Sequence, residues 1–127
     1  MDVLGISWVG SRTERFDDMA RLLGGVMGLP THVDDEMSAG FDLPNGDEFE
    51  LFSDRDEESA HLTSGPIVGF FVSDMNVARG ELEASGLVRF FGATVKGEGG
   101  WSWAHFRAPD GNIYEITSGP HPTLGSI

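Results

Sequence analysis

The chain has 127 residues, no cysteine, and 8 basic against 21 acidic side chains, for a formal charge of −13. That length suits one compact unit with a shared core, and the lack of cysteine excludes disulfides, thiol nucleophiles and thiolate ligands. The charge opposes binding to phosphate backbones and anionic lipid, so neither nucleic acid nor membrane is an expected partner. The same acidity either attracts cationic solutes or only keeps the chain soluble. No stretch approaches the roughly 20 apolar residues of a membrane span, and Met1–Leu4 lacks the pattern of a signal peptide. A cytoplasmic protein is the expectation.

Along the chain, Val3 to Gly10 reads as a strand. Ser11 and Glu14 have the spacing of a capping box, and Phe16, Met19, Ala20, Leu22, Leu23, Val26 and Met27 then recur at helical spacing. Gly24-Gly25 weakens the last turns by roughly 1 kcal/mol per glycine, and Gly28 with Pro30 closes the helix. Thr31 to Ser53 predicts three strands, the last two joined by a hairpin at Pro44-Asn45-Gly46. A charged linker runs from Asp54 to about Gly65. A second apolar strand, Pro66 to Val72, is followed by a helix capped by Asp74 and stopped at Gly86. Strands are expected over Val88–Val95, Trp101–Ala108 and Asn112–Thr117, with an extended tail from 119 to 127.

The chain repeats itself. Pro44-Asn45-Gly46-Asp47-Glu48-Phe49-Glu50-Leu51 is echoed by Pro109-Asp110-Gly111-Asn112-Ile113-Tyr114-Glu115-Ile116. Each copy has a proline-led turn, an aromatic residue, a glutamate and an aliphatic residue, about half a chain apart. With the helices included, each copy reads β-α-β-β-β. The fold class is α+β: two repeated modules, about 3–53 and 66–118, forming an eight-stranded open sheet pair around a cleft.

This order and its two hairpins resemble the vicinal oxygen chelate superfamily, which holds glyoxalases, bleomycin-resistance proteins and extradiol dioxygenases. The likeness spans residues 3 to 118. It is clearest at Pro109–Ile116, where the family often reads Asp-Pro-Asp-Gly-x-x-x-Glu and this chain has Ala108 for the first aspartate. Val26-Met27-Gly28-Leu29 resembles the family's Val-Leu-Gly-Leu. The resemblance implies that any metal sits in the cleft, held by the first and last strands of each module, commonly by a histidine and a glutamate. Glu50 and Glu115 occupy the last-strand positions. The first-strand positions fall at Trp8 and Ile67, neither of which ligates a metal. No cofactor is the expectation on these residues; the alternative is nickel, zinc, manganese or iron held by Glu50 and Glu115. The resemblance also implies a homodimer.

His105 stands on the opposite arm of the last hairpin from Glu115. It reads either as a general base held by Glu115, as a third ligand, or as an ordinary half-exposed strand histidine. His32, His61 and His121 read as strand-edge, linker and tail residues without a role. Trp101, Trp103 and His105 alternate on one strand and share a face. With Trp8, Glu50, Ile67 and Glu115 they form the candidate cleft. Such a lining suits a flat or cationic organic molecule, or else the indoles only fill the space between sheets. Gly97-Glu98-Gly99-Gly100 lacks the spacing of a phosphate-binding loop, and no nucleophile elbow is present. Three functions remain open. One is a metal-free small-molecule-binding protein of the bleomycin-resistance kind. Another is a lyase, isomerase or dioxygenase using Glu50, Glu115 and His105. The third is a degenerate domain whose cleft is plugged.

Overall fold

The structure, a computed structural model, describes residues 1–124. The end of the expected tail, 125–127, lies outside the described residues. The elements in chain order begin with β1 (Val3–Thr13) and α1 (Phe16–Ala20), which continues as a π-helical turn over Arg21–Val26. Then come β2 (Thr31–Asp34), β3 (Ser38–Asp42) and β4 (Glu48–Ser53). The second half has β5 (Ile67–Val72), α2 (Met75–Ser85), β6 (Arg89–Phe90), β7 (Val95–Lys96), β8 (Ser102–Arg107) and β9 (Ile113–Ser118). Among the described residues no helix is long and apolar enough to cross a membrane.

The strands form one open nine-stranded sheet in the order β2-β3-β4-β1-β5-β9-β8-β6, with β7 paired to β8. The expected pair of sheets is therefore continuous, joined where β1 runs antiparallel to β5. Within each half the first strand lies parallel to the last: Gly10 pairs with Glu50, and Gly69 with Glu115. The helices cover the outer face. Leu23 packs on Ala39, Phe41 and Leu51, and Met75 and Ala78 pack on Ala104, Phe106 and Ile116. Because strand side chains alternate, the residues between these apolar ones face inward and line a cleft.

Four local expectations are corrected. Ser11 and Glu14 do not cap a helix: β1 continues to Thr13 because Arg12 and Thr13 pair with Phe52 and Ser53 of β4. A ladder of sheet hydrogen bonds overrides the local capping signal. The helix starts at Phe16 with no side-chain cap, and its Gly24-Gly25 end widens into the π-helical turn. The expected strand 88–95 is two short strands, interrupted at Gly92 in the left-handed region (φ 74). The resulting extra strand makes the count nine. The tail turns at Pro122–Leu124 rather than extending, because His121 is drawn inward. By contrast, α2 is bounded as its sequence signals: the Asp74 side chain accepts from the Val77 amide, and Gly86 ends the helix in the left-handed region.

Candidate functional site

The inner face of the sheet encloses a cleft of about 670 Å³. Of the sequence-derived cleft residues, Trp8, Glu50, Trp101, Trp103, His105 and Glu115 line it. Ile67 does not. It is fully buried below the cleft against Trp8, Leu62 and Ile113.

Each side chain is placed by strand period and pairing. On β4, Glu48, Glu50 and Phe52 alternate onto the inner face, and all three line the cleft. On β1, a shift in register between Ile6 and Trp8 forms a bulge, a device that re-aims side chains. Trp8 then lies back over Gly10. A Cβ at Gly10 would stand 2.1 Å from the indole Cη2. From there the indole Nε1 donates to Glu50 Oε1 at 2.7 Å. On β8 and β9 the register sets His105 directly opposite Glu115.

A buried hydrogen-bonded row follows. His105 Nε2 lies 2.9 Å from Glu115 Oε1, and His105 Nδ1 lies 2.8 Å from His61 Nε2. Burial, and secondarily the Glu50 charge, pushes the Glu115 carboxyl well above its ordinary range. Burial brings His105 down to about 4 against a smaller opposing pull from Glu50. His61 is lowered as well, by burial and by the neighbouring His105. Both members of the His105–Glu115 pair thus favour their neutral forms. The network assigns Glu115 as a carboxylic acid donating to His105 Nε2, with His105 Nδ1–H donating to His61.

Glu48 is pushed up to about 8, first by burial and then by the charge of Glu50 and a hydrogen bond with it. Glu48, on the inward position next to Glu50 along β4, thus favours its protonated form at neutral pH. His32 reaches both Asp42 (Nδ1 to Oδ1, 2.8 Å) and Glu48 (Nε2 to Oε2, 2.5 Å). His121, only 3% exposed, donates through Nε2 to Asp47 Oδ1 at 2.8 Å, and its Nδ1 accepts from the amides of Thr123 and Leu124.

Sequence reasoning left His32, His61 and His121 without a place at the cleft; the structure brings His32 and His121 to its lining and sets His61 behind it, against His105. Nothing local marks His61 or His121, because each arrives on a loop folded back from a distant segment. Glu48 was legible. It alternates with Glu50, and the period of two puts both on one face.

No protein-family model matches the chain, and no curated protein matches it in sequence. Solved structures do match. One is the Mn(II)-bound glyoxalase from Novosphingobium aromaticivorans, at TM-score 0.68 and 25% identity over 91% of this chain and 39% of that one. Methylmalonyl-CoA epimerase from Mycobacterium tuberculosis matches at TM-score 0.67 and 17% identity, covering 92% and 89%. A methylmalonyl-CoA epimerase in complex with methylmalonyl-CoA and NH4+ matches at 0.67 and 16%, covering 99% and 100%. The fold is that of the vicinal oxygen chelate superfamily.

The superfamily's metal positions can be tested against this chain's donors. Trp8, which the resemblance sets at one first-strand position, offers only an N–H donor, already given to Glu50. Ile67 takes the other and is sealed in the core. His105 holds Glu115 through Nε2 and His61 through Nδ1, so as a ligand it would give up one bond of the buried row. Two carboxylates without a nitrogen ligand do not fit nickel, zinc or iron at these positions.

Proposed function

We propose that this protein binds a small organic cation with a flat or aromatic body, and does so without a metal at the superfamily positions. The observation that carries this is the lining. Asp42, Glu48, Glu50, Glu98 and Glu115 share it with Trp8, Trp101 and Trp103, and no lysine or arginine is among the lining residues. Indole faces attract cations, and a carboxylate orients an amine. A polyanion such as the coenzyme A ester held by the epimerase neighbour would meet carboxyl groups and no lysine or arginine here. The open volume of about 670 Å³ is of ligand size, which counts against a plugged, degenerate cleft.

The test is a tryptophan-fluorescence titration with aromatic amines and their neutral isosteres, in chelator-treated protein. Amines are expected to bind more tightly than the isosteres, with affinity falling as salt rises. Glu50→Gln is expected to weaken amine binding by about tenfold, or roughly 1.4 kcal/mol. Equal binding of amines and neutral isosteres, or tight binding of an acyl-coenzyme A instead, would overturn the reading.

A second reading is acid–base catalysis by Glu115 and His105. It is favoured by the hydrogen-bonded row that runs from the cleft through His105 to His61. Burial moves its signature. The limb of the pH–rate profile contributed by His105 falls near 4 rather than near neutrality. Turnover that survives His105→Ala and Glu115→Gln would rule out these roles.

A further inference from the structure

The wall of the cleft opposite His105 carries a second group of donors, on the first half's outer strands. His32 lies on β2, Asp42 ends β3 and Glu48 opens β4. Asp42 and Glu48 are register partners. One donor atom from each of the three lies within 4.8 Å of the others. None of the three is a superfamily ligand position, since those fall at Trp8, Glu50, Ile67 and Glu115.

Two independent features of the strands seat the imidazole. The pairing of β2 with β3 shifts register between Thr31 and Val33, so a bulge falls at His32. Bulges beside functional sites turn one side chain out of the regular alternation. Below the ring, β3 is bare. A Cβ on Gly40 would stand 2.7 Å from His32 Cε1 and 3.3 Å from Glu48 Oε2. The imidazole therefore lies across the strand and reaches both carboxylates, and all three residues line the cleft.

We propose that His32, Asp42 and Glu48 bind a divalent transition cation of the manganese-to-zinc series. One imidazole nitrogen and two carboxylate oxygens form a mixed donor set. It is softer than the all-oxygen sets of calcium and magnesium sites and harder than a thiolate site. Ligand bonds of about 2.0–2.2 Å draw the three donors closer around the ion than they now stand. Asp42 is half exposed, and the ring's exposed edge provides the entry path. Three protein ligands leave the remaining positions of the ion turned toward the cleft.

The inference does not rest on the organic-ligand reading, and its test is run without any organic ligand. Chelator-treated, untagged protein is titrated with Mn(II), followed by electron paramagnetic resonance, and with Zn(II), followed by calorimetry. One ion per chain is expected. His32→Ala and Gly40→Ala are each expected to weaken binding by about tenfold or more, with the fold checked by circular dichroism. Glu115→Gln is expected to change the affinity far less than either, since Glu115 reaches this group only through its charge on Glu48 and Glu50 and not by contact. Mn(II) is expected to broaden the ring resonances of His32 before those of His105 and His61. No ion retained at millimolar concentration would overturn the proposal. So would loss of binding in Glu115→Gln with retention in His32→Ala, which would place the ion at the superfamily position instead.

Discussion

Gly10→Ala tests whether the Trp8 indole lies across Gly10 and bonds to Glu50. The new methyl would stand 2.1 Å from Cη2, 2.6 Å from Cζ2 and 2.9 Å from Cζ3 of the indole. These atoms belong to a rigid ring that is 7% exposed and tied to Glu50, so they do not yield like the end of a flexible chain. Two relaxations are open. The strand shifts, at an overpacking cost of about 1–3 kcal/mol. Otherwise the indole swings out and forfeits its bond to Glu50, about 1.5–3 kcal/mol for a hydrogen bond to a charged group. The cheaper route still costs about 2 kcal/mol by these figures. Gly10 has no positive φ. With the indole gone, alanine there should be neutral or slightly stabilising, by up to about 0.5–1 kcal/mol through the unfolded chain. The assay is urea unfolding followed by far-ultraviolet circular dichroism on the wild type, Gly10→Ala, Trp8→Ala and the double variant. A coupling energy of about 2 kcal/mol or more is expected from the cycle. If Gly10→Ala costs the same with and without Trp8, or almost nothing in the wild type, the indole does not cross Gly10 to reach Glu50. The Trp8–Glu50 bond would then not form this wall of the cleft, and the lining on which the organic-cation reading rests would have to be redrawn.

Two further outcomes concern stability. His105 is held at about 4 in the fold, below its ordinary 6.5. Its contribution is therefore present above pH 6.5 and is lost as pH falls toward 4, by up to about 1.4 kcal/mol per unit. The raised carboxyl of Glu115 acts with the opposite sign. The folded chain keeps a proton that the unfolded chain gives up above 4.5, so that contribution declines as pH rises from there. Glu115→Gln removes only the second effect. Its stability relative to wild type should therefore increase between about pH 5 and pH 7 in urea unfolding, and a pH-independent difference would refute the neutral assignment of Glu115. Asp74→Ala removes the side chain that accepts from the Val77 amide and is expected to lower stability by about 1 kcal/mol. No change in the urea midpoint would mean that water satisfies that amide equally well.

The sequence by itself determined the α+β class, the two β-α-β-β-β repeats, the Asp74 cap with its Gly86 stop, and the hairpin register that puts His105 opposite Glu115. These depend on periods, caps and turns that act within a few residues. Glu50, Trp101 and Trp103 were legible for the same reason, since alternation along a strand fixes a face once one residue on it is known. The tertiary structure decided what depends on pairing between distant strands. It extended β1 through the apparent capping box at Ser11, because β4 offered partners to Arg12 and Thr13. It kept Ile67 in the core and laid Trp8 across Gly10 onto Glu50. It also brought His121 from the tail and His32 from a bulged strand to the cleft, and His61 from the linker onto His105 behind it. Burial set the protonation of Glu115 and His105, and burial is a sum over neighbours from the whole chain, which no local pattern encodes.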